Sequence, residues 1–106
     1  MRLGKVIGLR PDKLEDYKAL HRGPGVRDLL RQANLRNFSI YLTQLADGRW
    51  YEFMYCEYVG DNYAADMAWL AAQPRNQAWL AVWDAMQLPL PGETSWLTME
   101  GIFFNE

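Results

Sequence analysis

The sequence predicts an α+β fold of the ferredoxin-like type: a βαββαβ sandwich, with a four-stranded antiparallel sheet and helices on one face. Three observations predict it. Short β-branched and aromatic runs mark strands at residues 5–9, 37–43, 50–58 and 95–104. Helical patterns fill the first and last gaps between those strands. Asp47-Gly48 in the middle gap is a hairpin signal, so the central two strands are antiparallel neighbours.

Each element has a local cause. Lys5-Val6-Ile7-Gly8-Leu9 is ended by Arg10-Pro11, since proline cannot donate to a sheet ladder. Pro11-Asp12-Lys13 opens a helix whose first turns carry Asp12, Glu15 and Asp16, where acids suit the helix dipole. It runs to about His21, because Gly23-Pro24-Gly25 cannot continue it. A second helix, about 26–33, turns Leu29 and Leu30 inward and ends near Asn34. Asn37-Phe38-Ser39-Ile40-Tyr41-Leu42-Thr43 alternates with period two, and Trp50 to Tyr58 is its aromatic-rich partner. From Asn62 a helical pattern passes Trp69 to Ala72, is interrupted by Pro74, and resumes from Asn76 to Met86. After Pro89-Leu90-Pro91-Gly92, Ser95 to Phe104 reads as the closing strand.

The chain of 106 residues is expected to form one domain, 1–106, with half its residues hydrophobic and 15 aromatic, ample for a core. Its net charge of −2 excludes a globally basic nucleic-acid binder. Residues 1–36 hold nine of the eleven basic side chains and four acids, but their spacing is that of a wet helix face. A single cysteine, Cys56, rules out an internal disulfide and a cysteine zinc site, and fits a reducing cytoplasm. No membrane partner is expected, for no apolar stretch nears membrane-spanning length, and the N-terminus lacks the pattern of a signal peptide. Phe38, Ile40 and Leu42 line one strand face, and with the partner strand's aromatics they present an apolar sheet face that needs another layer. A second copy of the chain is the expected cover, giving a homodimer.

His21 is the only histidine, and its ordinary pKa near neutrality makes it the natural proton shuttle. Tyr17 precedes it by four residues, so both project from one helix face, a turn apart. A histidine in a last helical turn also serves as a cap, and chemistry alone leaves both roles open. Trp79 and Trp83, also four apart, suit core packing, but indole faces equally cover the apolar face of a pyranose. Cys56 alternates into a hydrophobic strand as a buried apolar residue. Asp61, Asp66, Asp84 and Glu100 show no metal-ligand spacing, and Gly23-Pro24-Gly25 lacks the lysine of a phosphate loop, so neither metal nor nucleotide is expected.

Several segments together resemble the L-rhamnose mutarotase family. They are the first strand with Pro11-Asp12, then Tyr17-Lys18-Ala19-Leu20-His21, and Asn37-Phe38-Ser39-Ile40-Tyr41-Leu42. Gln77-Ala78-Trp79, the proline-containing stretch after Met86, and Met99 to Phe104 continue the resemblance in register over nearly the whole chain. It implies a dimeric α+β barrel that interconverts the α and β anomers of a 6-deoxy-L-hexopyranose without a cofactor. It also implies His21 as proton donor and Tyr17 as a sugar contact. Two further contacts of the family fall on Phe38, which keeps the family tyrosine's ring without its hydroxyl, and on Trp79-Leu80, where a tandem tryptophan has lost its second indole. The family's tryptophan-proline after the histidine is replaced by Gly23-Pro24-Gly25-Val26. These departures leave both L-rhamnose and L-fucose as candidate sugars.

Mutarotation needs a donor to the ring oxygen and an acceptor for the anomeric proton, the second expected from Glu100 or from held water. Two other readings compete. One is a non-catalytic protein that binds a sugar or a small apolar ligand on the same fold. The other is a haem protein, since dimeric α+β barrels also host haem-degrading enzymes and a lone histidine can ligate haem.

Overall fold

A computed structural model describes the whole chain, residues 1–106. Strand β1 (Arg2–Leu9) pairs antiparallel along its length with β3 (Trp50–Tyr58), which pairs on its other side with β2 (Leu35–Gln44). Two short strands share the remaining edge of β1: β4 (Gln87–Leu88) lies against Gly8–Leu9, and β5 (Leu97–Met99) against Gly4–Val6. The order β2-β3-β1-β4 is ferredoxin-like, with β5 as a second segment on the outer edge.

The closing strand therefore differs from the expected single run over 95–104. Its ladder is divided between β4 and β5, with the loop holding Pro89-Leu90-Pro91-Gly92 between them, and residues 100–106 form no strand. Prolines cannot donate to the ladder, which explains why pairing stops after Leu88 and restarts only at Leu97.

Four helices cover one sheet face. A 3-10 turn, Pro11–Lys13, leads into α1 (Leu14–Arg22), and α2 (Arg27–Gln32) follows the Gly23-Pro24-Gly25 break, where Gly25 takes φ +50°. α3 (Tyr63–Ala72) is capped by Asn62, whose side chain accepts from the Ala65 N–H. α4 (Pro74–Asp84) begins at Pro74, so this proline opens a helix rather than interrupting one. Gln73, held extended at ψ 122° as the residue before a proline, makes the corner between α3 and α4.

The sheet faces are sorted by period two and by one bulge. Glu52, Met54, Cys56 and Tyr58 of β3 face the helices, opposite Ile7 and Leu3 of β1. In β2, Asn37 and Phe38 both lie between the pairs Arg36–Glu57 and Ser39–Tyr55, where β3 has only Cys56. Asn37 adopts φ +52°, a conformation asparagine tolerates, and its amide donates to Glu57 at 3.1 Å. The extra residue reverses the phase of the strand. Leu35 before it and Ile40 and Leu42 after it thereby all face the helix side. The face left without helices carries Tyr41, Tyr51, Phe53 and Tyr55 instead, which corrects the expectation that Phe38, Ile40 and Leu42 form the uncovered surface.

Ile7, Leu9 and Cys56 are each 1 % exposed at the centre of the helix-facing row, and Glu52 is equally buried among them. Gly8 lets β4 approach β1: a Cβ there would lie 2.5 Å from the Leu88 carbonyl oxygen. Gly8→Ala is expected to lower stability by about 1–3 kcal/mol through this overpacking. A urea melt unchanged from the parent would show that β4 yields freely.

Candidate active site

Three distant segments meet on the helix-facing side of the sheet. α1 supplies Tyr17, the inward row of β3 supplies Glu52, and the first residue of β4 supplies Gln87. The Tyr17 hydroxyl donates to Glu52 Oε1 at 2.8 Å. The Gln87 amide donates to the same carboxylate oxygen at 2.9 Å and to the Tyr17 hydroxyl oxygen at 3.0 Å. All three side chains are buried, and Glu52 Oε2 has no hydrogen-bond partner. No cation pairs with Glu52 either.

Burial governs the electrostatics here. Removal from water disfavours the charged carboxylate and pushes Glu52 from its ordinary 4.5 up to about 7, against the opposing pull of the Tyr17 and Gln87 hydrogen bonds. Burial likewise raises Tyr17, and the neighbouring Glu52 charge raises it further. The phenol therefore stays protonated and serves as a hydrogen-bond group rather than a phenolate.

His21 stands one turn beyond Tyr17 on α1, and its Nδ1 lies 2.9 Å from the Tyr17 carbonyl oxygen. A carbonyl only accepts, so Nδ1 carries the proton and Nε2 is the ring nitrogen free of any protein partner. The ring is also fixed by stacking. It lies over Trp83 with centroids 5.3 Å apart and planes 24° from parallel, and Trp79 stacks on the far side of Trp83, also at 5.3 Å. The row Tyr17–His21–Trp83–Trp79 follows from the i, i+4 spacing on two helices.

Tyr17, His21, Glu52 and Gln87 line one cavity of about 850 Å³ between helices and sheet, a size in the usual range for small-molecule sites. Of the residues the sequence singled out, His21, Tyr17, Phe38 and Leu80 line it. Trp79 does not; its indole backs Trp83, which does. Glu100, considered as the opposing base, is exposed beyond β5 and outside the cavity, so the carboxylate near His21 and Tyr17 is Glu52. Glu52 and Gln87 were missed by sequence reasoning. Period two along β3 does put Glu52 in the same row as Met54 and Cys56, a signal that was available. Gln87 had none, because a two-residue strand has no periodicity. No three His, Cys, Asp or Glu side chains come together in a set that would hold a metal ion.

Glu52 holds its proton more tightly in the folded chain than in the unfolded one. Its contribution to stability is therefore greatest below about pH 4.5 and is lost as pH rises through about 7. Relative to Glu52→Gln, the parent should lose about 3 kcal/mol of unfolding free energy across that window. Urea titrations at a series of pH values measure it, and a pH-independent difference would mean an ordinary carboxyl.

The crystal structure of an L-rhamnose mutarotase from Formosa agariphila superimposes with a TM-score of 0.74 at 19% identity, covering 100% of this chain and 99% of that one. The crystal structure of an antibiotic biosynthesis monooxygenase shares the fold at a TM-score of 0.57 and 15% identity, covering 95% and 97% of the two chains. No curated protein sequence is significantly similar to the chain. The sequence profile described as L-rhamnose mutarotase matches residues 2–104, almost the full length. The chain belongs to the L-rhamnose mutarotase family, isomerases that act on the anomers of a sugar.

Proposed function

We propose that this chain, as one domain over 1–106, is a mutarotase for a 6-deoxy-L-hexopyranose, L-rhamnose first and L-fucose second, with His21 as proton donor. The observation that carries this reading is the imidazole of His21, pinned by the Tyr17 carbonyl and the Trp83 ring at the wall of a cavity that also holds a buried carboxylate.

The reaction needs a proton at each of two sugar oxygens in turn. Protonated His21 gives the Nε2 proton to the ring oxygen as the bond from that oxygen to the anomeric carbon breaks. The anomeric hydroxyl gives up its proton at the same time, and its oxygen becomes the aldehyde. The aldehyde rotates about its bond to the next carbon. Reclosure on the other face returns the ring-oxygen proton to His21 and a proton to the new anomeric hydroxyl. No redox change occurs and no group is transferred, which fits a site that needs no cofactor.

The rings of Phe38 and Trp83 supply apolar surface for the sugar, with Trp79 stacked behind, and Leu80 supplies aliphatic wall. The absent hydroxyl at Phe38 and absent indole at Leu80 favour a second reading, a protein that binds a sugar or apolar ligand without turnover. The two separate in one experiment. Saturation-difference proton NMR of L-rhamnose, L-fucose and D-glucose should show faster anomer exchange for a deoxy sugar with the parent. His21→Asn should lose about 10²–10⁴-fold of that acceleration while remaining folded. Tight calorimetric binding without acceleration by the parent would establish the binding protein instead.

A dimer completes the proposal. The helix-free face carrying Tyr41, Tyr51, Phe53 and Tyr55 leaves apolar rings in water, with Tyr41 69 % exposed, and a second copy would cover them. Light scattering should give twice the chain's 12.4 kDa. A monomer mass at micromolar concentration would remove the barrel dimer.

A further inference from the structure

We infer that the acceptor for the anomeric proton is Glu52, acting through the hydroxyl of Tyr17, with Gln87 as a positioning residue. The inference rests on the mutarotase reading and supplies the half of the proton transfer that His21 leaves undone.

The geometry is that of a two-member relay. Tyr17 lines the cavity, its hydroxyl proton already points at Glu52 Oε1 at 2.8 Å, and one of its two acceptor lone pairs is used by Gln87. The remaining lone pair is available to a sugar hydroxyl. Glu52 is a carboxylate with unused capacity, for both of its donors fall on Oε1 and Oε2 has none. A buried acceptor without a donor is a cost that folded proteins seldom keep without a use. In the forward step the anomeric O–H bond breaks and its proton goes to the Tyr17 oxygen. The original phenolic proton passes to Glu52, which ends neutral, while His21 ends without its Nε2 proton. Tyr17 itself is unchanged. Reclosure runs both transfers backwards, so protons and charge balance over the cycle.

The relay works only while Glu52 is ionised, and burial sets that near neutrality, at about 7. The other ionisable groups lining the cavity are Tyr17, Lys18, His21 and Arg22 from α1, Arg27 from α2, Lys5 from β1, Cys56 from β3, Tyr63 from α3 and Asp84 from the end of α4. None is an ion-pair partner of Glu52. The Gln87 amide, by donating to Glu52, favours the ionised form.

The test is the pH profile of anomer exchange for the parent, Glu52→Gln and Gln87→Met, read by the same NMR assay. The parent rate should rise with pH as Glu52 ionises near 7 and fall at higher pH where His21 no longer carries the proton it donates. Glu52→Gln should lower kcat on the order of 10²-fold with KM unchanged and should abolish that rise. Gln87→Met should move the rise to higher pH, a shift that loss of packing alone does not produce. An active parent whose rate and profile are matched by Glu52→Gln would overturn the relay and leave the mutarotase reading intact. A parent with no acceleration for any sugar would overturn that reading and the relay with it. Should Glu52→Gln not fold, carbon-13 titration of the Glu52 carboxyl in the parent decides. A midpoint coincident with the rise in rate supports the relay, and one in the ordinary carboxylate range overturns it.

Discussion

A carboxylate buried against a sheet is the constraint on which the site depends. Taking an ionised carboxylate out of water costs several kcal/mol unless hydrogen bonds replace the lost hydration. Glu52 receives two such bonds on one oxygen, from Tyr17 and Gln87, and none on the other. The satisfied oxygen ties α1, β3 and β4 to one another, so the helical layer and the sheet edge share a single polar anchor. Burial, opposed by those two hydrogen bonds, leaves the group poised between charged and neutral forms near neutral pH.

The surrounding architecture serves that anchor. Gly8 permits the close approach of β4 that carries Gln87 inward, and the bulge at Asn37-Phe38 turns the apolar side chains of β2 toward the helices. Pro74 starts α4 after a sharp corner, which brings Trp83 over His21. The imidazole is then held on both an edge and a face, by a carbonyl and an indole. Fixing a ring by backbone and stacking contacts keeps its orientation without consuming its second nitrogen. The cavity thus presents a histidine and a tyrosine–carboxylate pair to one space, and walls most of the rest with apolar side chains. Low polarity strengthens each polar contact that remains.

The family sites on which the resemblance rests are only partly retained in this chain. Tyr17 and His21 stand at the positions that the resemblance assigns to a sugar contact and a proton donor, whereas Phe38 and Leu80 lack the hydroxyl and the indole that it implies. Glu52 and Gln87 add a polar pair hydrogen-bonded to Tyr17.

The sequence by itself determined the strand and helix order, the hairpin at Asp47-Gly48, and the helix face shared by Tyr17 and His21. Those follow from periodicity, turn chemistry and i, i+4 spacing, which are local and so readable along the chain. Only the tertiary structure decided that β2 changes phase at Asn37, that the closing strand is split, and that Trp83 rather than Trp79 faces the cavity. It also decided that Glu52, not Glu100, lies beside Tyr17. Glu52 and Tyr17 are 35 residues apart and Gln87 and Tyr17 are 70 apart, so nothing local records their meeting. The burial that sets the proton affinity of Glu52 exists only once strand, helix and sheet edge have closed around it.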